Sequence, residues 1–178
     1  MTPAGYRIRR GALADSEAIA QVHVQAWNES YRGILADSIL DQYQLPQRLV
    51  SRRRVMEAQQ SQCFVAEHGN AGIIGFADCG AAREPIRGCA GEVWAVYIVK
   101  AHQKVGLGRA LMAECAEALA AQGMASLMVW VVEGNTAARA FYERLGGELA
   151  ESGRDSHGNQ SVRKFAYCWP DLSTLRAR

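Results

Sequence analysis

The segment Gln103-Lys104-Val105-Gly106-Leu107-Gly108-Arg109 constrains this chain most. It joins two stretches with different apolar periods. Glu92–Val99, before it, is rich in Val, Ile, Trp and Tyr and reads as a strand. After it, Leu107, Ala110, Leu111, Ala118 and Leu119 repeat at helical spacing, in a helix expected to reach Gln122 and stop at Gly123. A strand that passes through a Gly-rich turn into a helix is an α/β unit. The first turn of a helix has N–H groups without helical partners and carries partial positive charge, so it can hold an anion. Gly106 and Gly108 let the backbone approach phosphate oxygens with no Cβ in the way. Lys104 and Arg109 add positive charge. The segment reads as a pyrophosphate cradle; the alternative is a turn whose glycines serve backbone geometry alone. A Walker A loop is excluded, because no Lys-Ser or Lys-Thr pair follows the glycines. A dinucleotide fingerprint wants a third glycine where Leu111 stands, yet Glu133 supplies an acid near the end of the next strand. That reading is weakened and stays open.

The rest of the chain alternates in the same way. Tyr6–Arg9 reads as a short strand. Asp15 is expected to cap a helix, with Glu17 in its first turn, that carries Ile19, Val22, His23, Ala26 and Trp27 on one face. A second helical stretch begins near Asp37, and Pro46 opens a third. Arg48, Arg52, Arg53 and Arg54 read as the solvated face of that third helix, and His23 as a core histidine. Cys63–Glu67 and Ile73–Cys79 form a hairpin around His68–Gly72. Ala81–Gly91 reads as a loop. Ser126–Val132 is an apolar, buried strand, and Thr136–Leu145 a helix ended by Gly146 and Gly147. Glu148–Glu151 and Ser161–Trp169 form a last strand pair around a polar loop, Gly153–Asn159.

Composition sets the outer bounds. The chain has 178 residues, 49% of them hydrophobic, and a net charge of +2. That suits one globular domain over 1–178 and gives no global sign of nucleic acid or membrane as partner. No apolar run is long enough to span a bilayer, and the N-terminus lacks the apolar stretch of a signal peptide. Five cysteines, an odd number with no CxxC pair, argue against a disulfide framework or a zinc site. Reduced thiols in a cytoplasmic protein are expected, with no metal.

The segment Glu133-Gly134-Asn135-Thr136-Ala137-Ala138-Arg139-Ala140-Phe141-Tyr142-Glu143-Arg144-Leu145-Gly146 follows the buried strand. Together with the Gly-rich turn it resembles the GNAT superfamily of acetyl-CoA-dependent N-acetyltransferases. The turn matches that family's Q/R-x-x-G-x-G/A motif, and the later segment its N-x-x-A-x-x-F-Y-x-x-x-G pattern. The element order resembles the family over nearly the whole chain. Lys100 stands where many relatives have Pro, Val105 where they have a basic residue, and Gly147 where an aromatic residue is common. The resemblance implies a mixed, largely antiparallel sheet with flanking helices. Its central parallel strands, here Glu92–Val99 and Ser126–Val132, are splayed apart. Acetyl-CoA is the implied cosubstrate, with pantetheine in the split. Ile98 and Val99 would contact its acetyl and pantetheine groups, and Gln103, Lys104, Val105, Gly106, Leu107, Gly108 and Arg109 its phosphates. Unpaired N–H groups on the first strand would stabilise an oxyanion.

Acetyl transfer to an amine needs a neutral amine, a stabilised carbonyl oxygen and a thiolate that can leave. A lysine-like amine has a pKa of about 10.4, so its neutral form at pH 7 costs roughly 4–5 kcal/mol. Glu92, at the start of the central strand, is the candidate base, since some relatives use a glutamate on that strand; otherwise it is a solvated strand end. Tyr142, where the family often has a tyrosine, is the candidate acid for the leaving thiolate; otherwise it packs beside Phe141. Asn135 would hydrogen-bond coenzyme A, cap the helix, or both. Trp27, Tyr31 and Trp94 are candidates to line an acceptor pocket or serve as core, and Asp78 is a weaker substrate-binding candidate. The acceptor is an amine on a small molecule or a protein, and its identity is not legible. Preference for a longer acyl-CoA is not legible either, and oligomeric state stays open, a homodimer included. A non-catalytic acyl-CoA sensor and a nucleotide-dependent oxidoreductase are the rival readings.

Overall fold

The computed structural model describes residues 2–176; Met1, Ala177 and Arg178, at the ends of the expected 1–178 domain, lie outside the described residues. Strand β1 (Tyr6–Arg10) leads into helices α1 (Ser16–Tyr31), α2 (Asp37–Leu40) and α3 (Leu45–Ala58). The hairpin β2 (Gln62–His68) and β3 (Gly72–Ala81) follows, then β4 (Gly91–Ile98) and α4 (Leu107–Ala120). The chain ends with β5 (Leu127–Val132), α5 (Thr136–Arg144), β6 (Glu148–His157) and β7 (Gln160–Trp169). The strands form one sheet in the order β1-β2-β3-β4-β5-β7-β6. Among the described strands, β4 and β5 are the parallel pair and the other neighbours are antiparallel. This is the mixed, largely antiparallel architecture expected.

Helices cover both faces of the sheet. The apolar stripe of α4, with Leu107, Leu111, Met112, Cys115 and Leu119, is buried against the sheet, each large side chain contributing about 2 kcal/mol. Helices α1 and α3 lie on the opposite face, where His23 meets Phe76 and Arg52 meets Asp78. No helix among the described residues is long and apolar enough to cross a membrane. All five cysteines are free and buried.

Three local expectations are corrected. Asp15 does not accept a helix-capping bond from its side chain. Its carboxylate instead accepts from both terminal guanidinium nitrogens of Arg9, at 2.7 and 2.9 Å, and from the Ala12 N–H, at 2.7 Å. The arginines of α3 are not all solvated. Arg52 is buried, and the guanidinium of Arg48 lies 4.0 Å from the Tyr43 ring centroid. The polar stretch Gly153–His157 is strand rather than loop, pairing Gly153 with Lys164 and His157 with Gln160. Both of its faces are largely exposed, so it shows no apolar alternation.

The feature that positions the site is the parting of β4 and β5. Their pairing covers Gly91–Leu127 and Glu92–Met128 and then stops. At the closed end the Gly91 N–H donates to the Ser126 carbonyl at 3.0 Å. A Cβ on Gly91 would stand 2.8 Å from Leu119 Cδ1, so only glycine lets the backbones meet there. Beyond this vertex the register against β3 slips. Cys79 pairs with Val93 and Asp78 with Ala95, which leaves Trp94 as an extra residue in a β-bulge. Bulges sharpen twist and re-aim a strand, and here β4 turns away from β5 at that point.

Candidate active site

A strand in fourth place among seven should be buried on both sides. Yet Trp94, Ala95, Val96, Tyr97 and Ile98 are all half-buried, whereas Val129, Val131 and Val132 of β5 are buried. The backbone edge of β4 facing β5 therefore lines an opening, without ladder bonds to β5, that runs from Glu92 toward Ile98, roughly 20 Å of strand at about 3.3 Å per residue. Gln103, at the far end, donates its side-chain N–H to the Ile98 carbonyl at 2.8 Å. Val99 is buried, its N–H donated to the Ile74 carbonyl of β3.

The far end meets the start of α4. Ala110 is the first residue to donate a helical bond, to the Gly106 carbonyl at 3.1 Å. The N–H groups of Leu107, Gly108 and Arg109 precede it and have no helical acceptor. Gly106 has φ +95°, Lys104 has φ +63°, and both are exposed together with Gln103, Val105 and Arg109. The buried side chain of Leu107 pins the turn to the core. Gly108 has a different reason to be glycine than phosphate approach alone. A Cβ there would come within 2.9 Å of the Phe141 ring of α5. The two sequence motifs are thus packed against each other.

Helix α5 brings a polar group to the same crevice. The Asn135 side chain caps the helix, accepting from the Ala138 N–H at 3.1 Å. The hydroxyl of the buried Tyr31 lies near Asn135 and Tyr97. Tyr142, buried on α5, packs its ring against Trp169 and Phe141. Burial pushes the phenols of Tyr142, Tyr31 and Tyr97 above their ordinary range. All three stay protonated and able to donate at neutral pH.

The α1–α2 region forms one wall. Trp27 stacks on Tyr43 at 4.4 Å and 9°, touches Tyr31 at 4.3 Å and faces His157 of β6 at 5.7 Å. Trp27 Nε1 is buried with no hydrogen-bond partner among the described residues. The β6–β7 hairpin closes onto this wall, with Gln160 Oε1 accepting from the Ala36 N–H at 2.9 Å. His23 sits behind it, half-buried and bonded to the Tyr43 hydroxyl at 2.8 Å. Burial, with Arg52 and Arg48 nearby, pushes its pKa down to about 3, so it is neutral.

The other expected residues are placed apart. Trp94 makes no ring contact with Trp27 or Tyr31 among the described residues; it lies over Gly80 and donates to the Ala81 carbonyl at 3.3 Å. Asp78 is turned to α3, its two oxygens held by Arg52 at 2.8 and 2.7 Å, and is withdrawn from any acceptor. Glu92 is not a solvated strand end. It is 1% exposed, sits at the vertex of the crevice, and is held by the Arg83 guanidinium and the Arg83 N–H. Sequence reading passed over Tyr97, Tyr43, His157 and Arg83. Tyr97 and Tyr43 carried a signal, as tyrosines within apolar stretches; His157 and Arg83 stood in polar segments and carried none.

These residues fit an extended thioester cosubstrate: an open strand edge for an amide-bearing arm, donors at a helix start for phosphates, and a phenol beside the strand. A family model described as the acetyltransferase (GNAT) family matches residues 18–147. The uncharacterized N-acetyltransferase YuaI of Bacillus subtilis is 30% identical over 169 residues, covering 95% of each chain. The PaiA N-acetyltransferase of Thermoplasma acidophilum, solved in complex with coenzyme A, superposes with a TM-score of 0.67 at 18% identity, over 92% of this chain and 98% of that one. YncA of Salmonella typhimurium, solved with acetyl-CoA, gives 0.68 at 20% identity, over 94% of each. At such identities the structural likeness speaks for the fold; the family model and the full-length relative go further. The chain belongs to the GNAT acetyltransferase family.

Proposed function

We propose that the chain, as a single domain, transfers an acetyl group from acetyl-CoA to a primary amine by direct attack within a ternary complex. The observation that carries this is the parting of β4 from β5 just past Glu92, which leaves a strand edge open in mid-sheet and leads it to the start of α4. Acetyl-CoA supplies the thioester, whose C–S bond breaks as the amine's N–C bond forms. The N–H groups of Leu107, Gly108 and Arg109 serve the pyrophosphate, with Gln103, Lys104, Val105 and Gly106 shaping the turn. The open edge of β4 as far as Ile98 holds the pantetheine arm, with Val99, whose own N–H is held by Ile74, at its end. Glu92 takes a proton from the amine, and the Tyr142 hydroxyl gives one to the leaving sulfur. Asn135 and Tyr31 orient groups at the crevice mouth, and Trp27 forms the apolar wall on the acceptor side. Asp78 and Trp94 are assigned no direct contact with the acetyl donor.

The test is calorimetric titration with acetyl-CoA and with NAD, followed by an amine panel read out as free-thiol release. Binding of acetyl-CoA in preference to NAD, with thiol release that depends on an amine, is the expected result. Tight acetyl-CoA binding with no release for any amine would favour an acyl-CoA sensor, and preference for NAD would end the proposal.

A further inference from the structure

We propose that Arg83 is a resident stand-in for the acceptor's ammonium group, and that the acceptor is a cationic aliphatic primary amine whose head displaces Arg83 from Glu92. This rests on the acyl-transfer reading above. The side chain of Glu92 is 2% exposed, and that of its partner Arg83 is 62% exposed. A carboxylate taken out of water requires a cation. Here the cation arrives from the solvent side, on the connection between β3 and β4, with its stem in water. Among the described residues the guanidinium is hydrogen-bonded to the Glu92 carboxylate, and the Trp94 ring centroid lies 5.6 Å from it.

Carboxylate and indole together form a cradle for a cation. Asp155 of β6 and Glu84 add negative potential at Arg83, while Lys164, 3.8 Å from Asp155, stays over the Trp130 ring. The cradle also stands in the right place. Glu92 is the last residue of β4 bonded to β5, and Trp94 is the bulge from which the crevice opens. A cation seated on Glu92 is therefore at the vertex of the proposed acyl-donor cleft. The Arg83 N–H donates separately to Glu92 Oε2 at 3.0 Å, so the connection stays anchored when the side chain swings out. One proton passing from the seated ammonium to a Glu92 oxygen leaves a neutral amine beside a neutral acid, ready for N–C bond formation. A guanidinium cannot give up that proton at neutral pH, so Arg83 holds the site without reacting.

The experiment uses Arg83→Ala and Arg83→Met with n-butylammonium chloride as probe and sodium chloride as the ionic-strength control. Arg83→Ala is expected to lower Tm by about 5 °C, from a buried carboxylate left without its cation. n-Butylammonium chloride should restore most of that loss, sodium chloride should not, and Arg83→Ala/Glu92→Gln should respond to neither. In Arg83→Met the KM for n-butylamine, read as thiol release, should fall about threefold, since no ion pair has to be displaced. Identical response of Arg83→Ala to both salts, or an unchanged or raised KM in Arg83→Met, would overturn the proposal. Acetyl-CoA affinity of the wild type is measured alongside. Its absence would sink the acyl-transfer reading, whereas its presence without ammonium recognition would sink only the role of Arg83.

Discussion

Asp78 and Glu92 are two buried carboxylates on neighbouring strands of one sheet, each held by an arginine, and they differ in where the arginine stands. Arg52 reaches Asp78 from the middle of α3, and both side chains are 6% exposed. Its guanidinium also lies 4.7 Å from the Phe76 ring centroid, so the head is packed as well as paired. Arg83 reaches Glu92 from a surface connection and is mostly in water. The first pair joins a helix to the sheet and has no route to a substrate. The second sits where β4 leaves β5 and is open to exchange. The same chemical pair is structural when both partners are enclosed, and becomes available for function when one of them is solvated.

Breaking the enclosed pair should have the largest effect. Asp78→Ala leaves Arg52 buried and uncompensated and should cost about 3–5 kcal/mol in urea unfolding. Turnover per folded molecule should stay near wild type. A cost below about 1 kcal/mol would mean that water reaches the pair and the contrast is false.

The solvated pair should behave in the opposite way. Glu92→Gln should lower kcat/KM about 100-fold near neutral pH while changing stability by less than about 1.5 kcal/mol, because Gln keeps a bond to the Arg83 N–H. The deficit should shrink as pH approaches the amine pKa, where the acceptor is already neutral. A deficit that is constant with pH would turn Glu92 from a base into a positioning group.

Acid sharpens the contrast from the enclosed side, through His23. Its folded pKa, about 3, lies below the unfolded value of 6.5, so the fold favours the neutral ring. That contribution is complete above the unfolded pKa and is lost as pH falls from there through the folded pKa. Between pH 7 and 5 the wild type should lose about 2 kcal/mol that His23→Gln does not lose. Parallel stability profiles for the two proteins would contradict this.

The smallest effect is expected at Tyr142, a phenol with no ionic partner among the described residues. Tyr142→Phe should lower single-turnover rate about 10-fold and leave acetyl-CoA affinity unchanged, since the hydroxyl matters as charge develops on sulfur. Equal rates would remove its role as acid.

The order of elements was readable because each apolar face keeps its own period, and the Gly-rich turn could be placed at a helix start because Leu107, Leu111 and Leu119 mark the helix that follows it. The vertex was not. Gly91, which closes it, looks like one more loop glycine, and its need for close approach arises only once Leu119 and Ser126 stand beside it. The bulge at Trp94 leaves no mark on composition. Arg52 and Arg83 are equally plain arginines in sequence; burial separates them, and burial is decided by partners 26 and 9 residues away. The edge strand at Gly153–His157 was hidden for the reverse reason, since both of its faces are largely exposed and carry no apolar alternation.

The central claim is that acetyl-CoA occupies the opening between β4 and β5 and ends on the start of α4. Amide hydrogen exchange with and without acetyl-CoA tests it most directly. Exchange should slow at the β4 residues 95–99 and at Leu107, Gly108 and Arg109, with little change across β1–β2. Saturating acetyl-CoA that leaves β4 unprotected, or that protects only a distant surface, would contradict the account.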